Sequence, residues 1–247
     1  MVWESLLARR SKRGPRTPDG VRIYAVGDVH GRADLLSQLL AGIDADVAAY
    51  PASGVIEVFI GDYIDRGPQS REVLDILVSR SERRQIVCLK GNHETYIPDF
   101  LRSPAILSQW RYFGGLETLV SYGLTPSINP DEHEQRELAE AFDRALPHRH
   151  RRFLTSLKSS LACGDYFFVH AGVRPGIPLA QQQERDLLWI REDFLLHEEA
   201  FGKIIIHGHT PVREPDVRPN RINIDTGAYA TGQLTCLVLE GEDMTFI

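Results

Sequence analysis

The sequence predicts an α/β fold, and two observations lead there. From about residue 21, apolar runs rich in β-branched and aromatic residues alternate with stretches whose leucines and isoleucines fall at helical spacing. Most of these runs end in a short polar block: GDVHG at 27–31, GDYIDRG at 61–67, GNHE at 91–94, VHAG at 169–172 and HGHTP at 207–211. Strand–loop–helix repeats of this kind argue for parallel βαβ units. In such sheets ligands gather beyond the carboxyl ends of the strands, where the polar blocks fall.

Taken in order, VRIYAV reads as a buried strand ended by the first block. Residues 32–48 then place Leu35, Leu36, Leu39, Leu40 and Ile43 on one helical face. VIEVFI is the second strand, residues 69–82 the second helix, through Val73, Leu74, Ile76 and Leu77, and IVCLK the third strand. Residues 94–160 show no convincing strand. Helices are expected at 105–121, 131–146 and 147–159, divided by Gly123, Pro126, Pro130 and Pro147. This mainly helical insertion either shapes substrate choice or simply packs against the sheet. Strands return in LACGDYFFVHAG, as two short runs around Gly164–Asp165, and in KIIIHGHT. RINIDTGA, GQLTCLVLEG and DMTFI read as a closing run of antiparallel strands. No linker separates domains, so 21–247 reads as one unit.

Composition narrows the partners. A formal net charge of −6 gives no nucleic-acid footprint, which needs a basic face. No apolar stretch approaches the ~20 residues of a membrane span. Cys88, Cys163 and Cys236 lie in apolar runs and cannot all pair, so buried free thiols and a reducing, cytoplasmic compartment are expected. Residues 1–20 read as a basic, mobile tail, with Arg9, Arg10, Lys12, Arg13 and Arg16 against Glu4. Trp3, Leu6 and Leu7 beside those charges offer at most a weak membrane or partner contact. A monomer is expected.

The blocks hold six metal ligands: Asp28, His30, Asp62, Asn92, His170 and His209. Mixed carboxylate and imidazole sets suit manganese, iron or zinc, whereas calcium and magnesium sites use oxygen almost alone. No block contains cysteine, which argues against a closed structural zinc site. Six ligands suit two ions ~3.5–4 Å apart that share a carboxylate. Such a pair lowers the pKa of water and neutralises phosphate charge, which favours in-line displacement at phosphorus. His93 is then the candidate acid, with Asp65 holding its ring, and Arg66 a bidentate clamp on phosphate oxygens.

GDVHG, GDYIDRG and GNHE, in this order and spacing, resemble the metallophosphoesterase superfamily. Within it they are similar to the phosphoprotein phosphatases, in a short bacterial or phage-like form. The resemblance covers roughly 21–230. It implies a calcineurin-like fold, a β-sandwich of two mixed sheets flanked by helices, with two divalent ions, manganese expected first, at one rim. Asp28, His30 and Asp62 would hold the first ion, and Asp62 would be shared. Asn92, His170 and His209 would complete the second. His93 and Asp65 would form the acid pair. Arg66, Arg191 in LLWIREDF, Asn92 and Tyr229 in DTGAY would contact the phosphate.

The implied reaction is hydrolysis of phosphate monoesters by direct attack of metal-held hydroxide, with phosphoserine and phosphothreonine in proteins as the expected substrates. The alternative is hydrolysis of dinucleoside tetraphosphates. Bacterial hydrolases of that kind resemble GDLVARG and GNHD where this chain has GDYIDRG and GNHE, so Asp65 and Glu94 favour the protein-phosphatase side. Pro211, which cannot ligate, replaces the last histidine of the Gly-His-x-His found in many superfamily members. His207 matches no ligand and is expected to be structural. His133, His148, His150 and His197 are expected at the surface.

Overall fold

Alternation decides how the first strand sits. In β1 (Val21–Val26), Ile23 and Ala25 face one side, Tyr24 and Val26 the other, and all four are buried. A strand buried on both faces needs a layer on each. The computed structural model, which describes residues 14–247, supplies a second sheet on one side and helices on the other.

β1 pairs in parallel with β2 (Gly54–Phe59), and β2 with β3 (Ile86–Cys88). Helices α1 (Ala33–Ala49) and α2 (Ser70–Ser81) make the crossovers. The second sheet begins with β4 (Ser160–Cys163) and β5 (Tyr166–Val169), an antiparallel hairpin. It continues in parallel through β6 (Ile204–His207) to β8 (Arg221–Asn223), and β7 (Asp216–Val217) runs antiparallel at its edge. The C-terminal hairpin β9 (Cys236–Glu240) and β10 (Asp243–Phe246) returns to the first sheet, antiparallel to β1. The strand orders are β10-β9-β1-β2-β3 and β4-β5-β6-β8-β7. Ile23, Val58 and Ile60 from one sheet meet Phe168, Ile206 and Ile222 from the other in the shared core. The two mixed sheets flanked by helices are the expected architecture.

Two sequence expectations are corrected here. RINIDTGA does not join an antiparallel run with the C-terminal strands: β8 lies parallel to β6 in the other sheet. A three-residue strand has too little local pattern to reveal a partner that far away in sequence. The basic tail was expected to extend to residue 20, and residues 1–13 lie outside the described part. Beyond them, Arg16 N–H donates to Asp165 at 2.9 Å and Thr17 N–H to the Gly241 carbonyl at 3.0 Å. Thr17 is buried, so this part of the segment is docked on the two hairpins.

The middle segment is mainly helical: α3 (Tyr96–Arg102), α4 (Leu107–Trp110), α5 (Gly115–Ser121), α6 (Glu132–Ala145) and α7 (His148–Ser156). The single helix expected at 105–121 is interrupted at Gly114, whose φ is +92°. Helix α3 was not expected. Pro98 masks it in the sequence, yet proline is tolerated in a first turn. His150 was expected at the surface and is fully buried. It shares a helix face with Phe153, hydrogen-bonds the Tyr122 hydroxyl at 2.7 Å and Asp75 at 2.8 Å, and so ties α7 to α2. His133 and His148 are exposed and His197 is half-buried. Two further short helices, α8 (Glu184–Trp189) and α9 (Glu192–Leu195), cover the second sheet through Leu187 and Phe194. A last turn, α10 (Ala228–Thr231), precedes β9. Cys236 is buried, Cys88 and Cys163 half-buried, and all three are free. Among the described residues no helix is long and apolar enough to cross a membrane.

The parallel strands of both sheets point their carboxyl ends at one rim, and the polar blocks leave the sheets there. They approach one another too closely for side chains on every residue. A Cβ on Gly91 would sit 2.1 Å from Asp62 Oδ1 and 2.3 Å from its backbone nitrogen. Gly91→Ala is therefore expected to lower the unfolding free energy by about 1–3 kcal/mol, the usual cost of overpacking. Urea unfolding measures it, and an unchanged midpoint would show that the two loops yield freely.

Candidate active site

Five non-glycine residues have left-handed backbone among the described residues: His30, Asp62, Asp65, Arg66 and His209, with φ between +43° and +71°. All five are site residues expected from the sequence. Strained backbone of this kind persists only where surrounding contacts over-determine it. Much of that constraint comes from Glu94. Its buried carboxylate accepts the N–H groups of Gly91 at 2.8 Å, Asp62 at 3.0 Å and Tyr63 at 2.8 Å. One side chain thus locks the loop after β2 to the loop after β3. Burial and neighbouring Asp62 push the Glu94 carboxyl up to about 8.

Asp62 lies at the centre, 2% exposed. Its Oδ2 is 3.4 Å from His30 Nε2, and its Oδ1 is 3.4 Å from His170 Nε2. The two oxygens therefore address two different imidazoles. His30 Nδ1 donates to the Ile64 carbonyl at 2.9 Å, and His170 Nδ1 to the Ile60 carbonyl at 3.0 Å. A carbonyl only accepts, so both rings turn an Nε2 lone pair inward, the tautomer a metal ligand needs. Burial holds His30 down to about 3 and also lowers His170 and His209. All three are neutral near pH 7.

Asn92 Oδ1 lies 2.9 Å from His170 Nε2 and 2.8 Å from His209 Nδ1. An ion with ligands at ~2.1 Å sets right-angled neighbours about 3 Å apart, so these spacings fit a metal shell. Asp28 completes the expected set. Its Oδ2 accepts the His209 N–H at 3.1 Å, while its Oδ1 is buried with no hydrogen-bond partner. A buried carboxylate oxygen left unpaired is compensated either by a cation or by a proton. Burial, then Asp225 and Asp62, raise the Asp28 carboxyl well above its ordinary value. Two groups have atoms close enough to share an ion, His30 with Asp62 and His93, and Asp62 with His170 and His209; Asn92 adjoins the second, and Asp28 reaches it only through the His209 backbone.

His93 stands at the same centre, with Nε2 3.8 Å from Asp62 Oδ2. Its Nδ1 is 2.7 Å from Asp65 Oδ2. Burial works against a charged ring, but Asp62 and the Asp65 hydrogen bond outweigh it and raise its pKa. Arg66 Nη2 is 3.3 Å from His93 Nε2, and its guanidinium lies 4.8 Å over the Tyr229 ring. Tyr229 meets His30 edge-on at 5.5 Å. On the opposite side Arg191 is exposed and donates to Thr210 Oγ1 at 3.1 Å, while Trp189 meets His209 edge-on at 6.2 Å. Each expected phosphate contact is therefore beside the centre, on one flank or the other.

Comparison with known proteins places this geometry. Residues 21–236 match the calcineurin-like phosphoesterases. The chain belongs to that family. It is 28% identical over 235 residues to the asymmetrical bis(5'-nucleosyl)-tetraphosphatase PrpE of Anoxybacillus flavithermus, covering 86% of this chain and 88% of that protein. Among solved structures, a candidate diadenosine tetraphosphatase superposes with a TM-score of 0.63 at 18% identity, over 95% of this chain and 98% of the other. A cold-active protein tyrosine phosphatase superposes with a TM-score of 0.59 at 16% identity, over 94% and 78%.

Sequence reasoning passed over one acidic member of this phosphoesterase site. Asp225, 2% exposed, follows β8 as the other acids follow their strands. Burial pushes its carboxyl up to about 6, and it accepts the Gly227 N–H at 2.9 Å. The signal is present in RINIDTG, an apolar strand ended by a polar block like the other five.

Metal should stabilise the protein. Adding Mn2+ to stripped protein at ~100 times its Kd is expected to add about 2.7 kcal/mol per site. Asp62→Asn should reduce metal content by elemental analysis to well below that of the parent and remove most of this gain in a thermal melt. Full occupancy in that variant would exclude Asp62 as a shared ligand.

Proposed function

We propose that this phosphoesterase cleaves dinucleoside tetraphosphates asymmetrically. Water adds to a terminal, nucleoside-bearing phosphorus as the P–O bond to the remaining phosphates breaks. A nucleoside monophosphate and a nucleoside triphosphate leave. This was the second of the two substrates expected from the sequence, and relatives over most of the chain favour it over phosphoproteins. The observation that carries it is a pair of exposed aromatic rings on opposite flanks of the centre. Trp189 is 38% exposed and Tyr229 40% exposed, where a nucleobase could stack on either. Beside Trp189 opens a cavity of about 590 Å3, lined by Arg174, Gln183, Arg185 and Arg191. Asp186, Glu192 and Asp193 line it too, and Arg174 is paired with Asp186 and Asp193, which leaves Arg185 and Arg191 as the cations free to meet phosphate oxygens.

In this reading Asp28, His30 and Asp62 would hold one divalent cation, and Asp62, Asn92, His170 and His209 would hold the other. When bound, the pair supplies Lewis acidity that acidifies water and offsets phosphate charge. Arg66 and Arg191 clamp the phosphoryl oxygens from opposite flanks. His93, oriented through Nδ1 by Asp65, delivers the proton from Nε2 to the departing bridging oxygen. Glu94 holds the ligand-bearing loops and takes no part in proton transfer, since its oxygens are taken up by backbone N–H groups.

One observation favours a second reading, hydrolysis of phosphoserine and phosphothreonine. A nucleoside triphosphate departs with little help, whereas an alkoxide must be protonated. The buried His93–Asp65 pair at 2.7 Å is more acid machinery than an anhydride requires.

A substrate panel with Mn-loaded protein separates the two. The expected kcat/KM for diadenosine tetraphosphate is at least ~10-fold above that for phosphoserine and phosphothreonine peptides. The reverse order would establish the second reading. Trp189→Ala should raise KM for diadenosine tetraphosphate by ~5–100-fold, the worth of one stacked base, and Trp189→Phe should restore most of it. An unchanged KM would remove Trp189 from substrate binding.

A further inference from the structure

The helical segment between β3 and β4 meets the catalytic centre at Asp65 and Arg66, and its Tyr96 and Phe113 also meet the His93 ring edge-on. The Asp65 carboxylate is fully buried and its oxygens are shared among three donors. Oδ2 accepts from His93 Nδ1 at 2.7 Å and from Trp110 Nε1 at 2.7 Å, and Oδ1 accepts from Thr118 Oγ1 at 2.5 Å. The Thr118 hydroxyl also receives the Asp65 backbone N–H at 3.0 Å, as does Ser70 Oγ at 3.0 Å. Thr118 therefore grips the residue at both its backbone and its side chain. This is the grip a non-glycine residue at φ +71° needs.

Trp110 is itself immobilised. Its ring stacks on Tyr96 at 6.1 Å and 5°, and packs against Phe100 at 5.5 Å and Phe142 at 6.4 Å, which brings in α3 and α6. Beside it, the Gly114 carbonyl accepts the Arg66 N–H at 3.3 Å, and a Cβ on Gly114 would strike that nitrogen at 2.3 Å. The segment thus meets Asp65 and Arg66, two consecutive left-handed residues, with a side-chain clamp on the first and a backbone contact on the second.

We propose that Trp110 and Thr118 are positioning residues that aim His93 through Asp65, so that the helical segment sets the efficiency of proton delivery to the leaving group. The inference rests on the reading of His93 as the acid. An indole N–H and a hydroxyl on the two carboxylate oxygens leave Asp65 one orientation. The His93 ring, whose Nδ1 is bound to that carboxylate, inherits it. Loss of either donor frees the carboxylate to rotate, and the ring with it.

The test uses stripped and Mn-loaded full-length protein, with Trp110→Phe, Thr118→Val, Thr118→Ser and His93→Asn. On unsubstituted phenyl phosphate, a demanding leaving group, Trp110→Phe and Thr118→Val should lose ~10–100-fold in kcat. On 4-nitrophenyl phosphate, which leaves unaided, they should lose less than ~3-fold. Thr118→Ser, which keeps the hydroxyl, should stay close to the parent on both. In metal-free protein, the downfield proton NMR line that disappears in His93→Asn should shift or broaden in Trp110→Phe and Thr118→Val. If His93→Asn slows both esters equally, His93 is not the acid and the underlying reading fails. If His93→Asn is selective but Trp110→Phe and Thr118→Val slow both esters equally, or leave the NMR line unmoved, the positioning role is wrong while His93 stands as the acid. A thermal melt of each variant separates unfolding from misalignment.

Discussion

The structure turns on a concentration of buried charge around Asp62. Three carboxylates, Asp28, Asp62 and Asp225, sit almost out of contact with water, beside imidazoles that burial keeps neutral. Removing such charges from water costs several kcal/mol each unless something of opposite sign meets them. Arg66 and Arg191 flank the cluster but contribute no hydrogen bond to its carboxylates. The compensation the site is built for is divalent metal. The rest of the fold can be read as the means of bringing those groups to one rim: parallel strands in two sheets end together, and each releases its polar block at the same place.

That convergence strains the chain. Five residues of the centre adopt left-handed backbone that their side chains disfavour, and glycines fill the approaches where no Cβ fits. Two buried acids, neither directed at substrate, sustain this geometry. Glu94 binds the backbone of the second and third loops together. Asp65 fastens the second loop to the helical segment. Glu94 thus joins the loop of Asp62 to the loop of Asn92 and His93, and Asp65 joins His93 to the helices.

Much of this was legible in the sequence because its signals are local. A period-2 apolar run that stops at Gly-Asp or Gly-Asn marks a strand end and a polar group at the rim together, which is why His30, Asp62, Asn92, His170, His209, His93, Asp65 and Arg66, which do meet at one rim, stand out in the sequence. What escaped depended on partners far along the chain. Three residues of β8 do not specify which sheet they join. His150 was hidden in HRHRRF, where polarity obscures the face it shares with Phe153. Trp110 and Thr118 look like ordinary helix residues until the fold sets them against Asp65. For the helical segment the sequence offers shaping of substrate choice or packing; the contacts at Asp65 and Arg66 point to a third role, in alignment. Substrate class was least legible, because phosphate recognition is generic and the neighbouring aromatics carry no motif.

Our proposal that Asp62 would be shared between two cations is tested most directly by electron paramagnetic resonance of protein loaded with two equivalents of Mn2+. Oxygens of one carboxylate on adjacent ions should give the multiline spectrum of an exchange-coupled pair, collapsing to isolated-ion signals in Asp62→Asn. Isolated-ion signals from the unaltered protein at two equivalents would contradict it.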